Sequence, residues 1–456
     1  VTIDLDIHLV DLDTKKSHRL THWTSYAVIQ DLMNPADTFS ATIAAVDSQR
    51  DFTAHGGQKA QVFFNGALQS TAITDERSEA TSGSSTDLQI TGRGVGALLL
   101  DNVVAADRLS MVNKTLFQVA QDITAPYQPD FITSVVTNNA GNRYMVAGKN
   151  PSYSNKSKMT KVETRDAQGK VTGVQWVKTT KKIRVKGTKQ KFGKDSPEYK
   201  GTTEDKLSQN KISPEEKIWG VIHKLSRQIA CLPMVGADGA LIITRPTYDF
   251  DSTVYGQGIV QLWDRKNKRA TGGNVMRSQF ETSIAGRASE IVAWATGKSK
   301  KTDMGKQLLK HTWSVKDPSP AFWTRLPAAP WLGTNILPKP DRMVFKTINN
   351  EKLIRRRVRT VFEERVIGAF SLEYQIAGHT INGNMPVVDS MIPVYDERYG
   401  LIGQPYYITR VERKMDITDG KTTVLKLMPP KIWLYFDHDK TGDAEYNAHM
   451  VQRVFW

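Results

Sequence analysis

Ala60-Gln61-Val62-Phe63-Phe64-Asn65-Gly66-Ala67 reads as strand, turn, strand. Ala60 to Phe64 is short and apolar, and Asn65-Gly66 is the dipeptide that tolerates positive φ at both centres of a tight hairpin turn. Ala67 to Thr74 then returns antiparallel. Working outward, Thr2 to Leu9 alternates loosely. The polar stretch Ser78 to Thr86 reads as a long loop, and Asp87 to Thr91 places Leu88 and Ile90 on one face. The first hundred residues therefore predict an antiparallel meander with sandwich or barrel character.

The same order recurs near the far end. Phe370, Leu372, Tyr374 and Ile376 alternate with Ser371, Glu373 and Gln375, the pattern of a half-buried strand. Met391 to Tyr395, a turn at Tyr399-Gly400, Tyr406 to Arg413, a turn at Asp419-Gly420 and Thr422 to Met428 follow. This matches residues 59–92 as strand, Gly turn, strand, polar turn, strand. Identity between the two blocks is too low to prove a duplication, but the pattern predicts two similar small barrels.

Between them lies helical spacing. Val112, Leu116, Val119, Ala120 and Ile123 form one stripe of a helix ending before Pro126. Ser213-Pro214-Glu215-Glu216 offers a capping serine, a proline at the first helical position and a capping-box glutamate, ahead of Ile218, Val221, Ile222, Leu225 and Ile229. Leu232 to Val235, Asp238-Gly239 and Ala240 to Thr244 predict a hairpin. Leu353 to Arg365 predicts a short helix with Ile354, Val358, Val361 and Phe362 on one face. Ser314 to Pro340, flanked by Trp313 and containing Trp323 and Trp331, reads as an extended segment laid over other elements.

The fold class expected is mainly β with α+β parts: two antiparallel β-barrels joined by an α/β middle region. Residues 1–108 form the first barrel and 109–269 the middle domain, with a basic hairpin insertion at 149–194. The second barrel takes 270–300 and 366–430, an inserted Pro/Trp-rich segment and helix takes 301–365, and 431–456 is a C-terminal extension.

The chain's 456 residues fit about three domains of roughly 150 each. With 39% hydrophobic and 24% charged residues it can bury a core, so a disordered chain is excluded. No apolar run approaches the roughly 18 residues of a membrane helix, and Val-Thr-Ile-Asp-Leu-Asp at the start does not read as a secretory signal. The one cysteine, Cys231, excludes an internal disulfide and any multi-Cys zinc site.

The formal charge of +15 is unevenly placed. Between Lys149 and Lys194 there are fourteen Lys and Arg against Glu163 and Asp166, a surplus of 12, which leaves only +3 for the rest. Such a segment suits nucleic acid, an acidic protein or anionic lipid. Its weak alternation at Val171 to Val177 and Ile183 to Val185, with glycine breaks, predicts an exposed hairpin arm with mobile flanks. Lys178, Lys181, Lys182, Arg184, Lys186, Lys189 and Lys191 are its candidate partner-binding residues. Trp176 and Phe192 are its only aromatic residues apart from Tyr153, too sparse for single-strand stacking.

Catalytic signals are weak. Gly92-Arg93-Gly94-Val95-Gly96-Ala97 has the letters of a dinucleotide loop, but that loop needs a parallel βαβ unit, and the preceding strands look hairpin-connected. A flexible corner is the competing reading. Asp437-His438-Asp439 with His449 could ligate a metal or be a solvated loop. Cys231, at an apolar helix end, reads as a buried thiol. Arg355-Arg356-Arg357-Val358-Arg359 could meet phosphates, although Arg359 and Glu363 are spaced for an i,i+4 pair on a solvated face. The sequence offers no catalytic constellation, no cofactor site and no metal site, and a non-enzymatic protein is expected.

Resemblance adds a direction. Ala60 to Gly66, Leu88 to Gly92, Arg93 and Leu98-Leu99-Leu100-Asp101 resemble the baseplate hub family of contractile-tailed bacteriophages, the Mu-type tail protein P and late-control protein D group. The likeness continues through Ala106-Asp107-Arg108, Pro126-Tyr127, the Ile218 to Ile229 helix, Thr244-Arg245-Pro246, Asn274, Ser283 to Ala293, the Arg355 helix and Gly403 to Pro430. The departures are the basic segment at 149–194 and the Pro/Trp-rich region at 314–340. The resemblance implies a structural protein of the virion tail baseplate, assembled in the host cytoplasm. It implies a homotrimer whose two tail-tube-like barrels per subunit make a pseudo-sixfold ring. That ring would join the hexameric tail tube, or a tube-initiator protein, to the trimeric central spike. Baseplate wedge proteins would be neighbours, and the tape measure protein and then DNA would pass through the lumen, with no stable membrane insertion. Hubs of phage-derived, bacteriocin-like injection machines are similar, and two other classes stay open: a nucleic-acid-binding protein acting through the basic arm, and a cell-wall hydrolase attached to a tail, which would need a carboxylate or metal site.

Overall fold

The computed structural model describes residues 5–12, 17–20, 23–44, 56–82, 85–105, 116–137, 152–165, 171–185, 215–228, 231–244, 252–296, 309–316, 339–345, 351–418 and 420–429. The first strand block comprises β1 (Leu5–Val10), β2 (Ser17–Leu20), β3 (Trp23–Asp31), β4 (Thr38–Ala44), β5 (Lys59–Phe64), β6 (Ala67–Ser82) and β7 (Ser85–Gly94). The hairpin turn between β5 and β6 holds Asn65 at φ 48° and Gly66 at φ 78°, as the dipeptide demands. β6 continues to Ser82, so the expected loop from Ser78 is strand. Its residues are polar because Asp75, Glu76, Ser78, Glu79 and Ala80 face solvent, where polarity does not distinguish strand from loop.

An α/β unit follows: α1 (Ala97–Asp101), α2 (Leu116–Thr124), β8 (Val135–Thr137), α3 (Ile218–Gln228), β11 (Leu232–Val235) and β12 (Leu241–Thr244). β12 pairs antiparallel with β11 and parallel with β8. The apolar stripes of α2 and α3 bury Leu116, Val119, Ile123, Ile218, Ile222 and Leu225 in one core. Helix α3 starts later than its capping signal. Lys217 bridges to Val103, the Glu216 carbonyl accepts from Val104 N–H, and Ile218 N–H donates to Asn102, so the chain there is tied as an extended segment. Ser213 and Pro214 lie outside the described residues. Within the same stretch, β9 (Ser152–Arg165) and β10 (Val171–Val185) pair as a long antiparallel hairpin in a sheet of their own.

After α4 (Ser252–Tyr255), the second block consists of β13 (Ile259–Asp264), β14 (Arg269–Gly273), β15 (Val275–Thr282), β19 (Phe370–Ala377), β20 (Met391–Asp396), β21 (Leu401–Asp416) and β22 (Gly420–Met428). β13 pairs with β20, so the block starts before residue 270, where the sequence placed its edge. A separate unit interrupts it: β16 (Glu290–Thr296), β17 (Leu309–Lys316), β18 (Pro340–Phe345) and α5 (Glu351–Gly368). β16, expected in the barrel, pairs with β17 and β18 instead, and Ile354 and Val358 of α5 pack on Ile291 and Ala293. Residues 317–338 of the Pro/Trp-rich region and the 431–456 extension lie outside the described residues.

The two blocks share one pairing scheme down to its irregularities. β5–β6 pairs Val62 with Ser70 and then Phe63 with Leu68, leaving Gln69 extra; β20–β21 pairs Val394 with Gln404 and then Tyr395 with Ile402, leaving Gly403 extra. β6–β7 skips Asp75 and β21–β22 skips Thr409, six residues past the previous bulge in both. β3–β4 skips Thr24 and β15–β19 skips Met276. β6 and β21 are each 16 residues long. Three coincident bulges in coincident registers mark a duplicated unit, because a bulge is a built feature of a ladder and not a random defect.

The blocks differ where they close. β1 pairs antiparallel with β5 from Leu5 to Val10, whereas β13 pairs parallel with β20 from Ile259 to Gln261. Neither block has a closed ladder among the described residues. The circuit of pairings returns to its start only through the steps from β2 to β3 and from β14 to β15.

Candidate assembly interface

The length of β21 decides how the blocks meet. Its first half pairs with β20, and its second half presents that edge to β3, antiparallel from Arg410 opposite Asp31 to Asp416 opposite Ser25. Val28 stands opposite Arg413, and both are buried. The fully buried Arg413 guanidinium donates to Gln30 Oε1 at 2.8 Å and to the Pro386 carbonyl at 2.5 Å, and lies 5.6 Å from the Phe64 ring centre. Gln30 Nε2 passes the contact on to the Gln69 carbonyl at 2.7 Å. Burial pulls the Arg413 pKa down to about 10, which leaves it charged at neutral pH.

A second buried chain crosses the same joint. Tyr26 Oη and His379 Nε2 are 2.8 Å apart, His379 Nδ1 and Thr423 Oγ1 are 2.8 Å apart, and Thr423 donates to the Gly378 carbonyl at 2.8 Å. One proton on Nδ1 satisfies every member of this chain. Burial, with Arg413 and Lys421 nearby, lowers the His379 pKa to about 4, so the ring is neutral.

Where the α/β unit reaches this joint lies a cleft of about 240 Å³, lined by Gln30, Asp37 and Gln69 of the first block, Met234 and Ala237 at the β11 hairpin, and Asp389 of the second. Burial raises the Asp37 pKa to about 7, against the opposing pull of the Asp31 N–H and the Ser70 hydroxyl. The Asp389 carboxyl is also raised by burial and accepts from the Tyr407 hydroxyl. Among the described residues no three His, Cys, Asp or Glu side chains are grouped to hold a metal. The cleft is where three units meet, and both of the acids raised by burial accept hydrogen bonds from neighbouring groups.

The counterparts of β3 and β21 are treated differently. In the first block, β6 past Asp75 pairs only with β7 among the described strands; in the second, β15 pairs only with β19. Met276 is 58% and Phe280 38% exposed, while Val28, the positional counterpart of Phe280, is 1% exposed. Beside β15, Phe280 sits 5.1 Å from Tyr399, and Arg398 lies over both Tyr399 and Trp263, at 5.1 and 4.8 Å.

The sequence-predicted candidates are dispersed. Lys178, Lys181, Lys182 and Arg184 fall on β10, with Lys181 directly opposite Lys156. Lys186, Lys189 and Lys191 lie outside the described residues, as do Asp437-His438-Asp439 and His449. Gly92-Arg93-Gly94 ends an antiparallel strand, not a βαβ unit. A Cβ at Gly92 would come within 2.4 Å of both the Ile73 carbonyl and the Phe39 ring, and one at Gly96 within 2.0 Å of the Pro35 carbonyl. The corner is therefore tightly packed rather than loose, and Arg93 pairs with Asp75 at 2.8 Å and Asp101 at 2.9 Å. Cys231 is buried, as read. Sequence reasoning missed Arg413, Gln30 and His379. Two arginines in the strand Tyr406 to Arg413, Arg410 and Arg413, were the only signal, and the pattern does not distinguish the buried one from the surface one.

Solved structures share this fold, among them two that cover nearly the whole chain. The tail protein from Neisseria meningitidis MC58 is 19% identical, with a TM-score of 0.60, covering 95% of this chain and 98% of that one. The 43 kDa tail protein of prophage MuSo2 from Shewanella oneidensis is 15% identical, with a TM-score of 0.60, over 94% and 99%. No curated protein sequence matches. Residues 15–94, which span the strands from β2 to β7, match the family model described as Mu phage baseplate assembly protein GpP-like, N-terminal.

Proposed function

We propose that this chain is a non-catalytic structural component of a phage tail baseplate. In this reading it assembles as a homotrimer in which six like-paired strand blocks form a ring, joining the tail tube to the central spike around a lumen for the tape measure protein and DNA. The observation that carries the reading is the duplicated block joined to its twin through β3 and β21. Two copies of one unit per chain let three chains offer six near-equivalent faces to a sixfold partner while keeping threefold symmetry for another. The GpP-like match and the tail-protein fold support the same role.

Light scattering on the purified protein tests it. A mass of three 51.1 kDa chains is expected, with a ring visible by electron microscopy. A protein that stays monomeric at every concentration, alone and with its spike protein, would remove the reading.

The basic hairpin β9–β10 fits an acidic baseplate neighbour, such as a wedge protein. Deleting residues 149–194 is expected to weaken baseplate assembly and its resistance to salt, and unchanged assembly would count against that role. The surplus of 12 positive charges over residues 149–194 equally suits phosphate. DNA affinity that falls steeply with salt and is lost on neutralising Lys181, Lys182, Arg184 and Lys186 would favour nucleic acid instead.

A further inference from the structure

We propose that the outer edge of β6 in one copy pairs antiparallel with the outer edge of β15 in the next, in the register that β21 and β3 use within the chain. The inference rests on the ring reading and supplies the contact that would build it.

The register follows from the duplication. Past their second bulges, Glu76 stands opposite Thr91 in β7 as Arg410 stands opposite Lys426 in β22, and Ser82 opposite Ser85 as Asp416 opposite Gly420. Glu76 to Ser82 therefore corresponds to Arg410 to Asp416. On the other side, Ser25 follows the Thr24 bulge as Arg277 follows the Met276 bulge, so Ser25 to Gln30 corresponds to Arg277 to Thr282. Within the chain, Asp416 pairs with Ser25, Lys414 with Ala27 and Arg413 with Val28. Transferred to the open edges, Ser82 faces Arg277, Ala80 faces Gln279 and Glu79 faces Phe280.

The second copy is the occupant favoured by three observations. Both edges lack a ladder partner among the described strands, and an open edge is a template for pairing. The two edges are the unmatched halves of a joint that the molecule already makes once. Phe280 is exposed, whereas its counterpart Val28, which stands opposite Arg413 in that joint, is buried in the core of the first block. Because the β6 and β15 edges differ, the contact is head-to-tail, and it repeats from copy to copy until a ring closes.

Cysteine pairing tests the register. Directly opposed strand residues have Cα atoms roughly 4.5–5.5 Å apart, within disulfide reach. Ala80 and Gln279 are exposed, so the double variant A80C/Q279C leaves the core untouched. Under mild oxidation it is expected to give covalent dimers and trimers on a denaturing gel. A mixture of the single variants A80C and Q279C should stop at dimers, and the offset pair A80C/R277C should link at least tenfold more slowly. The parent, whose only cysteine is buried, controls for background. A trimeric parent in which A80C/Q279C fails to link, or links no faster than the offset pair, overturns this pairing and leaves the ring reading standing. A parent that is monomeric at every concentration overturns both.

Discussion

The two strand blocks keep three bulges in the same places and almost none of the same side chains. Gly92 in the first answers to Leu427 in the second, Glu79 to Arg413, and Val28 to Phe280. What persisted is the arrangement of edges; what changed is whether each edge is dry or wet. The buried edge holds Arg413, whose two terminal nitrogens donate to Gln30 and Pro386 while its buried Nε has no hydrogen-bond partner among the described residues, and the open one has ordinary surface residues. A ladder register is thus a better witness of common origin here than residue identity.

That contrast can be broken at Arg413. Arg413→Ala leaves Gln30 Oε1 and the Pro386 carbonyl without their buried donor and should cost about 2–6 kcal/mol in chemical denaturation, about 1–3 kcal/mol for each unsatisfied acceptor. A loss below about 1 kcal/mol would mean that the joint is not held there. Gly92→Ala should cost about 1–3 kcal/mol, because β7 must move from Ile73 and Phe39; its counterpart Leu427 shows that the scheme itself does not need glycine there. A third test uses pH.

Asp37 has a folded pKa of about 7, above its unfolded value, so the folded state holds the extra proton and its contribution to stability falls as pH rises from about 4 to 7. Asp37→Asn removes that slope. Its stability relative to the parent should therefore climb across that window, by up to roughly 1.4 kcal/mol per pH unit. His379, lowered to about 4, acts oppositely, losing stability as pH falls from about 6.5; it is common to both proteins and cancels. A difference flat with pH would place the Asp37 carboxyl in water. The smallest effect is expected at the open counterpart of Arg413: Glu79→Ala should stay within about 0.5 kcal/mol in the isolated chain.

Much of this was legible in the residues. The alternation of Phe370 to Ile376, the Asn65-Gly66 turn and the stripes of α2 and α3 each announce one element, because a buried face leaves a period in the sequence. The β6 extension was not legible, since an exposed strand of Asp, Glu, Ser and Thr has no such period. Nor was the unit of β16 to β18 with α5, whose parallel pairing joins residues far apart in sequence. The joint was hidden for a different reason. Arg413, Gln30, Tyr26 and His379 matter through contacts 353 to 383 residues distant, and no local pattern carries those.

The same distance sets a timetable for synthesis. β3 leaves the ribosome early, but its partner edge lies in residues 401–416. At about 5–20 residues per second, β3 waits on the order of tens of seconds with one edge unpaired. During that interval the nascent first block presents the edge that its twin will later cover. Polysomes carrying many such chains would bring these edges close together, so the step most exposed to misassembly comes before any chain is complete.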